Sequence, residues 1–232
     1  MSSEAPGSYS DDEADDFGVP ALPFKPLLRG WIHLGTLPVA IILGVILIFL
    51  ADDTLVKWSV AVFLGTSVLL FGISALYHRL NWSDRATALL RRLDHSNIFL
   101  LIAGTYTPMA VTALDPASRN ILLTIVWSGA LIGIFFRLFW LSAPRWLYVV
   151  LYIGLGWTAV WFAGDLVNAN LPAVILVLVG GLAYTAGAIV YALKRPDPSP
   201  GVFGFHEVFH AFTALAFACH WTAMLLFVLE SN

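Results

Sequence analysis

Seven long apolar runs, separated by short polar breaks, follow one another along this chain. They cover roughly residues 31–51, 58–79, 94–114, 120–140, 146–164, 171–193 and 206–229. Each run is close to the ~20 residues with which a helix crosses about 30 Å of hydrocarbon. A spanning helix also satisfies its own backbone hydrogen bonds, which lipid cannot do. The pattern therefore predicts an all-α, polytopic membrane protein with seven transmembrane helices.

The composition agrees with this prediction and excludes several classes of protein. Hydrophobic residues make up 59% of the chain and charged residues 12%, about half of the ~25% charged residues that are typical of soluble domains. Twelve basic residues against fifteen acidic ones provide no basic face for nucleic acid, so no nucleic-acid partner is expected. The single cysteine, Cys219, excludes an internal disulfide and any multi-cysteine zinc site.

The chain divides into three parts. Residues 1–30 are acidic and rich in Ser, Gly and Pro, which predicts a disordered cytoplasmic tail that leads to the membrane. Residues 31–229 form the predicted seven-helix transmembrane domain, and residues 230–232 a short external C-terminus.

The basic residues set the predicted orientation. If the N-terminus is cytoplasmic, ten of the twelve lysines and arginines fall on the inside and only Lys57 and Arg119 on the outside. Cytoplasmic loops carry an excess of Lys and Arg. We therefore expect a multi-pass protein of the cell membrane, with its N-terminus in the cytoplasm and its C-terminus outside.

Ionisable side chains within the apolar runs are costly in a membrane and are functional candidates. His78 ends the second run, Asp94 begins the third, and His206 and His210 begin the seventh, so the topology brings them to the cytoplasmic end. His206 and His210 are four residues apart and share one helical face. They can offer two imidazoles to one metal ion, and His78 can supply a third nitrogen. Three protein ligands and one open position are typical of catalytic zinc.

Two further polar residues adjoin these histidines. Ser74 lies one turn before His78 on the same helical face, and Asp94 could hydrogen-bond a metal-bound water or a ligating histidine. Both have a structural alternative. Small residues such as Ser74 also serve helix packing in membranes, and Asp94 could instead pair with Arg91 or Arg92 at the interface.

The remaining histidines are expected to be structural. His33 and His95 lie near helix ends, where such side chains are commonly interfacial. His220 lies ten residues deeper than His210, about 15 Å along the helix, and is expected to be hydrogen-bonded in the core.

One short motif suggests a different enzyme. His206-Glu207-Val208-Phe209-His210 matches H-E-x-x-H, in which the glutamate is the general base of a zinc protease. Glu207 lies about 100° around the helix from His206 and is expected to point away from the metal. An intramembrane metalloprotease is therefore less favoured.

At these residues the sequence resembles bacterial members of the progestin and adipoQ receptor superfamily, of the hemolysin III type. The matching segments are Arg29-Gly30-Trp31-Ile32-His33, Ser74-Ala75-Leu76-Tyr77-His78, Leu93-Asp94-His95-Ser96, Gly104-Thr105-Tyr106-Thr107-Pro108 and His206-Glu207-Val208-Phe209-His210. Together they span about residues 25 to 229, which is nearly all of the chain except the tail.

The resemblance implies a seven-helix fold with an inside N-terminus. It also implies Zn2+ bound by His78, His206 and His210, with Asp94 holding the zinc-bound water and Ser74 nearby as catalytic residues. Receptor members of the family are associated with ceramidase activity, and the wider superfamily contains alkaline ceramidases.

Two functions of different classes remain open. The first is a zinc-dependent hydrolase that acts on an amide or ester of a membrane lipid. The second is a non-enzymatic, zinc-stabilised membrane sensor, transporter or pore, in which the inward-facing His and Asp side chains form a path for protons or cations.

Overall fold

The computed structural model describes residues 25–140 and 145–232, which are almost entirely helical. Residues 1–24 of the predicted acidic tail lie outside the described residues. The helices are α1 (Trp31–Leu50), α2 (Thr54–Arg79), α3 (Asp84–Ala113), α4 (Pro116–Phe139), α5 (Arg145–Gly156), α6 (Ala163–Ala169), α7 (Leu171–Leu193) and α8 (Phe205–Ser231), with a 3-10 turn at Thr158–Phe162 between α5 and α6. The two described stretches contain no β-strand beyond an isolated bridge between Ser199 and Phe203.

Polar side chains begin several of these helices. Asp53, Asp115 and Asn170 precede α2, α4 and α7, and each side chain accepts hydrogen bonds from backbone N–H groups of the first helical turn. These N–H groups have no partner within the helix, so a capping side chain satisfies them. The caps coincide with the polar breaks of the sequence, which therefore separate real helices.

The helices form a closed bundle in which α8 returns to α1. α1 packs on α2, α2 on α3, α3 on α4 and α7 on α8, while α8 also contacts α1 and α3. In the part of the chain that the structure describes, six helical segments are long and apolar enough to cross a membrane, one of them being Trp146–Ala169, which combines α5, the 3-10 turn and α6. The protein is an all-α, multi-pass integral membrane protein, as predicted.

The third predicted span is the least apolar of the long helices, and it contacts more neighbouring helices than any of the others described. α3 contacts α2, α4 and α8 and is not among the six segments of high hydropathy. It carries Asp94, Asn97 and Thr105 on buried surface, and a helix surrounded by other helices needs little lipid-facing apolar surface. α3 also begins at Asp84, ten residues before the predicted run at 94, because its basic first turns continue the helix beyond the apolar stretch.

The fifth span is interrupted, which the sequence pattern does not predict. α5 ends at Gly156 and the chain continues as a 3-10 turn into α6. Tyr106 of α3 satisfies the backbone groups freed by this break, because its hydroxyl donates to the Gly156 carbonyl at 2.5 Å and accepts from the Ala159 N–H at 2.9 Å. Irregular backbone at membrane depth persists only where other protein groups satisfy it.

A glycine allows α2 and α3 to approach closely. A Cβ atom on Gly104 would lie 2.0 Å from Oγ1 of Thr66, so no larger residue fits there without movement. Small residues at such crossings let helix backbones approach one another in membranes. The close crossing helps to hold the ends of α2 and α3, which carry His78 and Asp94, beside each other.

The segment before α1 crosses one end of the bundle. Leu27 and Leu28 donate backbone hydrogen bonds to Gly201 and Val202 in the connection between α7 and α8, and Lys25 donates to the Leu80 carbonyl after α2. The segments predicted to be cytoplasmic therefore meet at one end. Which side of the membrane this end faces remains a prediction.

Candidate metal centre

Three buried imidazoles from two helices converge at this end of the bundle. His78 lies in the last turn of α2, and His206 and His210 lie in the first two turns of α8. Their potential ligand atoms all lie within 4.8 Å of one another, and Nε2 of His78 is 3.2 Å from Nε2 of His206. In a tetrahedral site with Zn–N bonds of 2.0–2.1 Å, neighbouring ligand atoms are about 3.3 Å apart. The three side chains could therefore hold one metal ion.

Two buried polar atoms in this region have no partner in the part of the chain that the structure describes. Nδ1 of His210 and Oγ of Ser74 are buried and have no hydrogen-bond partner among the described residues. Leaving a buried donor or acceptor unsatisfied costs about 1–3 kcal/mol. A bound ion with its coordinating ligands gives these atoms partners, so the chemistry of the donor set fits a metal.

The structure places both predicted catalytic residues beside the histidines. Oδ2 of Asp94 lies 3.7 Å from Nε2 of His78, and the residue is only 7% exposed. The Asp94 carboxylate thus faces the imidazoles rather than the bundle surface. Ser74 is buried one turn before His78 and lines the same cavity as Asp94.

Glu207 points away from the imidazoles, as expected. Its Oε1 accepts a hydrogen bond from Nε of Arg29 at 2.5 Å, and its Oε2 accepts from the backbone N–H of Gly204 at 2.8 Å. Both side chains of this ion pair are almost fully buried, at 2% and 0% exposure. Glu207 therefore anchors the start of α8 to the segment before α1, which does not match the general base of an H-E-x-x-H protease.

His33 lies inside the bundle rather than at the interface where we expected it. Its ring stacks on the ring of His210, with centroids 3.7 Å apart and an interplanar angle of 16°. It is 2% exposed, and neither ring nitrogen has a hydrogen-bond partner among the described residues. α1 packs against α8, and this contact brings His33 to the three imidazoles from a helix in which it is the only histidine.

A cavity of about 220 Å³ leads from the imidazoles into the bundle. Ser74, Asp94 and His210 line it near the imidazoles, and Met109 and His220 line it further along. Nε2 of His220 donates to the Val177 carbonyl at 3.2 Å, which agrees with the expected hydrogen-bonded role in the core. The cavity joins a polar centre to an apolar interior, which suits a molecule with one polar and one apolar end.

Sequence comparison assigns the chain to a known family. The family model described as "Haemolysin-III related" matches residues 23–221. The chain belongs to this hemolysin III family. Among its relatives, the "Hemolysin-3 homolog" of Bacillus subtilis (strain 168) is 31% identical over 191 residues, covering 80% of this chain and 86% of that protein.

Two further relatives come from a second Bacillus species and from a plant. "Hemolysin-3" of Bacillus cereus is 31% identical over 164 residues, which cover 70% of this chain and 72% of that protein. "Heptahelical transmembrane protein ADIPOR2" of Oryza sativa subsp. japonica is 29% identical over 186 residues, which cover 72% of this chain and 81% of that protein. The resemblance noted in the sequence is confirmed.

Proposed function

We propose that this hemolysin III family protein is a zinc-dependent hydrolase that acts on an amide or ester of a lipid in the cell membrane. One observation carries the proposal. Three buried imidazoles have the spacing for one ion, with Asp94 beside them, at the head of a cavity that extends between membrane-spanning helices.

The donor set favours zinc in a catalytic role. Neutral imidazoles suit zinc, and a site with three protein ligands keeps one position open for chemistry. Bound zinc supplies a Lewis acid that polarises a carbonyl group and activates water for attack on it.

The protein's own residues would complete the reaction. The Asp94 carboxylate accepts a proton from the attacking water and delivers it to the departing amine or alcohol, as general acid–base catalysis requires. The Ser74 hydroxyl, which is buried without a partner among the described residues, can donate a hydrogen bond to the carbonyl oxygen as negative charge develops there. The stacked ring of His33 holds His210 in orientation.

The position of the cavity indicates the class of substrate. Ile98, Ile102 and Met109 of α3 line it below the metal centre, and Val177 of α7 lines it from the other side. An acyl chain placed among these side chains would bring its carbonyl group to Asp94 and the imidazoles. A lipid amide or ester has the required geometry, with its polar bond next to a long apolar chain.

The test combines metal content with turnover. Purified protein is assayed for zinc and for hydrolysis of a panel of N-acyl and O-acyl lipids, beside the variants Asp94→Asn and Asp52→Asn. Asp52 is exposed at the opposite end of the bundle and serves as the control. We expect Asp94→Asn to lose about 10²–10⁴ in turnover while its zinc affinity falls by no more than about 100-fold. Zinc-loaded wild-type protein that hydrolyses none of the lipids would refute the proposal.

A non-enzymatic function is the second candidate, and the name hemolysin, which both Bacillus relatives carry, favours it. In that case zinc stabilises the bundle, and the protein acts as a sensor, transporter or pore. Reconstitution in liposomes distinguishes the two candidates. Ion flux that is abolished by His78→Ala, in protein that turns over no lipid, would favour the second function.

A further inference from the structure

A buried arginine borders the metal centre on the side of α4. Arg137 is 8% exposed and lines the cavity. Its Nη2 donates to Nδ1 of His95, and its Cζ lies 4.7 Å from the centroid of the Tyr148 ring. Its Nε is buried without a hydrogen-bond partner, and no carboxylate among residues 25–140 and 145–232 forms an ion pair with it.

The contact with His95 does not neutralise this charge. A guanidinium group only donates hydrogen bonds, so Nδ1 of His95 must be an acceptor and the imidazole must be neutral. Its Nε2 then carries the proton and faces the hydroxyl of Tyr191 at 3.4 Å. The hydroxyl of Tyr152 donates to the His95 carbonyl at 3.0 Å and helps to fix this residue. Arg137 is therefore a positioned cation without a described counter-charge.

Arg137 and the metal centre share one cavity. His95 follows Asp94 directly in α3, and the Tyr191 ring lies 5.9 Å from the His206 ring. Asp94, His95, Arg137 and His206 all line the cavity. A ligand held at the imidazoles therefore shares this cavity with the Arg137 guanidinium.

We propose that Arg137 binds an anionic head group, a carboxylate or a phosphate, on the lipid that occupies the cavity. A buried cation is costly unless an opposite charge pairs with it, and the planar guanidinium fork matches carboxylate and phosphate oxygens. The head group lies at Arg137, the amide or ester lies at the imidazoles, and the acyl chain extends among the apolar residues of α3. This inference deepens the proposed function and rests on it only where it calls the lipid a substrate.

Three probes that share an acyl chain and an amide test this inference. They are N-palmitoylglycine, which carries a carboxylate, N-palmitoyl-O-phosphoethanolamine, which carries a phosphate, and N-palmitoylethanolamine, which is neutral. Binding to the full-length protein in detergent is measured calorimetrically in the Asp94→Asn background, so that turnover does not interfere. The variants are Arg137→Gln, Arg137→Lys and the control Arg119→Gln. Arg119 lies 18 residues earlier in α4, on the same helical face and about 27 Å away.

We expect at least one anionic probe to bind about tenfold or more tightly than the neutral probe, which is the size of one hydrogen bond to a charged group. Arg137→Gln should bring this ratio close to one, Arg137→Lys should retain part of it, and Arg119→Gln should leave it unchanged. The anionic probe that shows the larger ratio identifies the head group. A ratio near one in the Asp94→Asn protein, or an unchanged ratio in Arg137→Gln, overturns the inference. If Arg137→Gln does not fold, the ratios of the parent protein and of Arg137→Lys still decide.

These outcomes are separate from those of the proposed function. If the protein binds anionic lipids through Arg137 and hydrolyses none of them, the anion site is supported and the hydrolase function is refuted. If the protein hydrolyses neutral and anionic lipid amides equally, with no dependence on Arg137, the hydrolase function is supported and the anion site is refuted.

Discussion

Replacing Arg29 by methionine should expose the role of Glu207 most clearly. The two charges are joined at 2.5 Å and are 2% and 0% exposed, so the variant leaves a buried carboxylate without its cation. Removing one partner of a buried ion pair costs about 3–5 kcal/mol, because the remaining charge stays desolvated. We therefore expect the free energy of unfolding of Arg29→Met, measured in mixed micelles, to be about 3–5 kcal/mol lower than that of the wild type. The double variant Arg29→Met/Glu207→Gln should recover about 1–3 kcal/mol of the loss, since it removes the stranded charge.

The single variant Glu207→Gln separates a structural role from a catalytic one. A glutamine keeps an oxygen that accepts the hydrogen bond from the Gly204 N–H. If Glu207 were the general base that its motif suggests, Glu207→Gln would abolish turnover without changing stability. We expect the opposite result, with reduced stability but unchanged zinc content and unchanged turnover per folded molecule. Full stability together with abolished turnover would refute the assignment, and so would a double variant no more stable than Arg29→Met.

Three further predictions follow from the packing and the metal centre. Removing bound metal with a chelator should lower the melting temperature, and added zinc should restore it, since a ligand at 100 times its Kd stabilises by about 2.7 kcal/mol. Tyr106→Phe should destabilise the protein by about 1–3 kcal/mol, because the Gly156 carbonyl and the Ala159 N–H both lose their partner; a stability within 0.3 kcal/mol of wild type, about the error of such comparisons, would contradict this. Gly104→Ala should cost about 1–3 kcal/mol through its clash with Thr66, and the added change Thr66→Ala should relieve part of that cost, as thermal unfolding in detergent would show.

The spacing of the histidines along the chain is sufficient to predict that three imidazoles meet at one end of the bundle. His206 and His210 are one turn apart, and the alternation of apolar runs and breaks places His78 and Asp94 at the same end of the bundle. These inferences need only helical periodicity and a count of crossings. For the same reason the all-α membrane class could be predicted, since the apolar runs alone are sufficient for it.

Two parts of the site depend on tertiary contacts that the sequence does not display. His33 and Arg137 each lie near a helix end, where a sequence pattern indicates an interfacial residue. The stacking of His33 on His210 follows from the return of α8 to α1. The position of Arg137 follows from the packing of α4 on α3, which turns its side chain towards His95. A contact between residues more than a hundred positions apart, such as His33 and His210, cannot be predicted from the spacing of apolar residues along a helix.

The interruption of the fifth span is a third feature that the apolar pattern misses. Residues 146–164 are continuously apolar, yet the helix ends at Gly156. The hydroxyl of Tyr106 on another helix satisfies the freed backbone groups and so makes this break tolerable within the membrane. Hydropathy measures how readily side chains transfer from water into lipid. It contains no information about a hydrogen bond that a side chain of another helix makes to the backbone.

The order of the metal-centre residues along the chain has a consequence for biosynthesis. His33 and His78 emerge from the ribosome early, whereas His206 and His210 belong to α8 and emerge more than a hundred residues later. The centre therefore cannot assemble until that helix has entered the bilayer and docked against the first. Under the proposed function, metal uptake then requires the insertion of α8, because nascent chains that stop before α8 lack two of the three imidazoles.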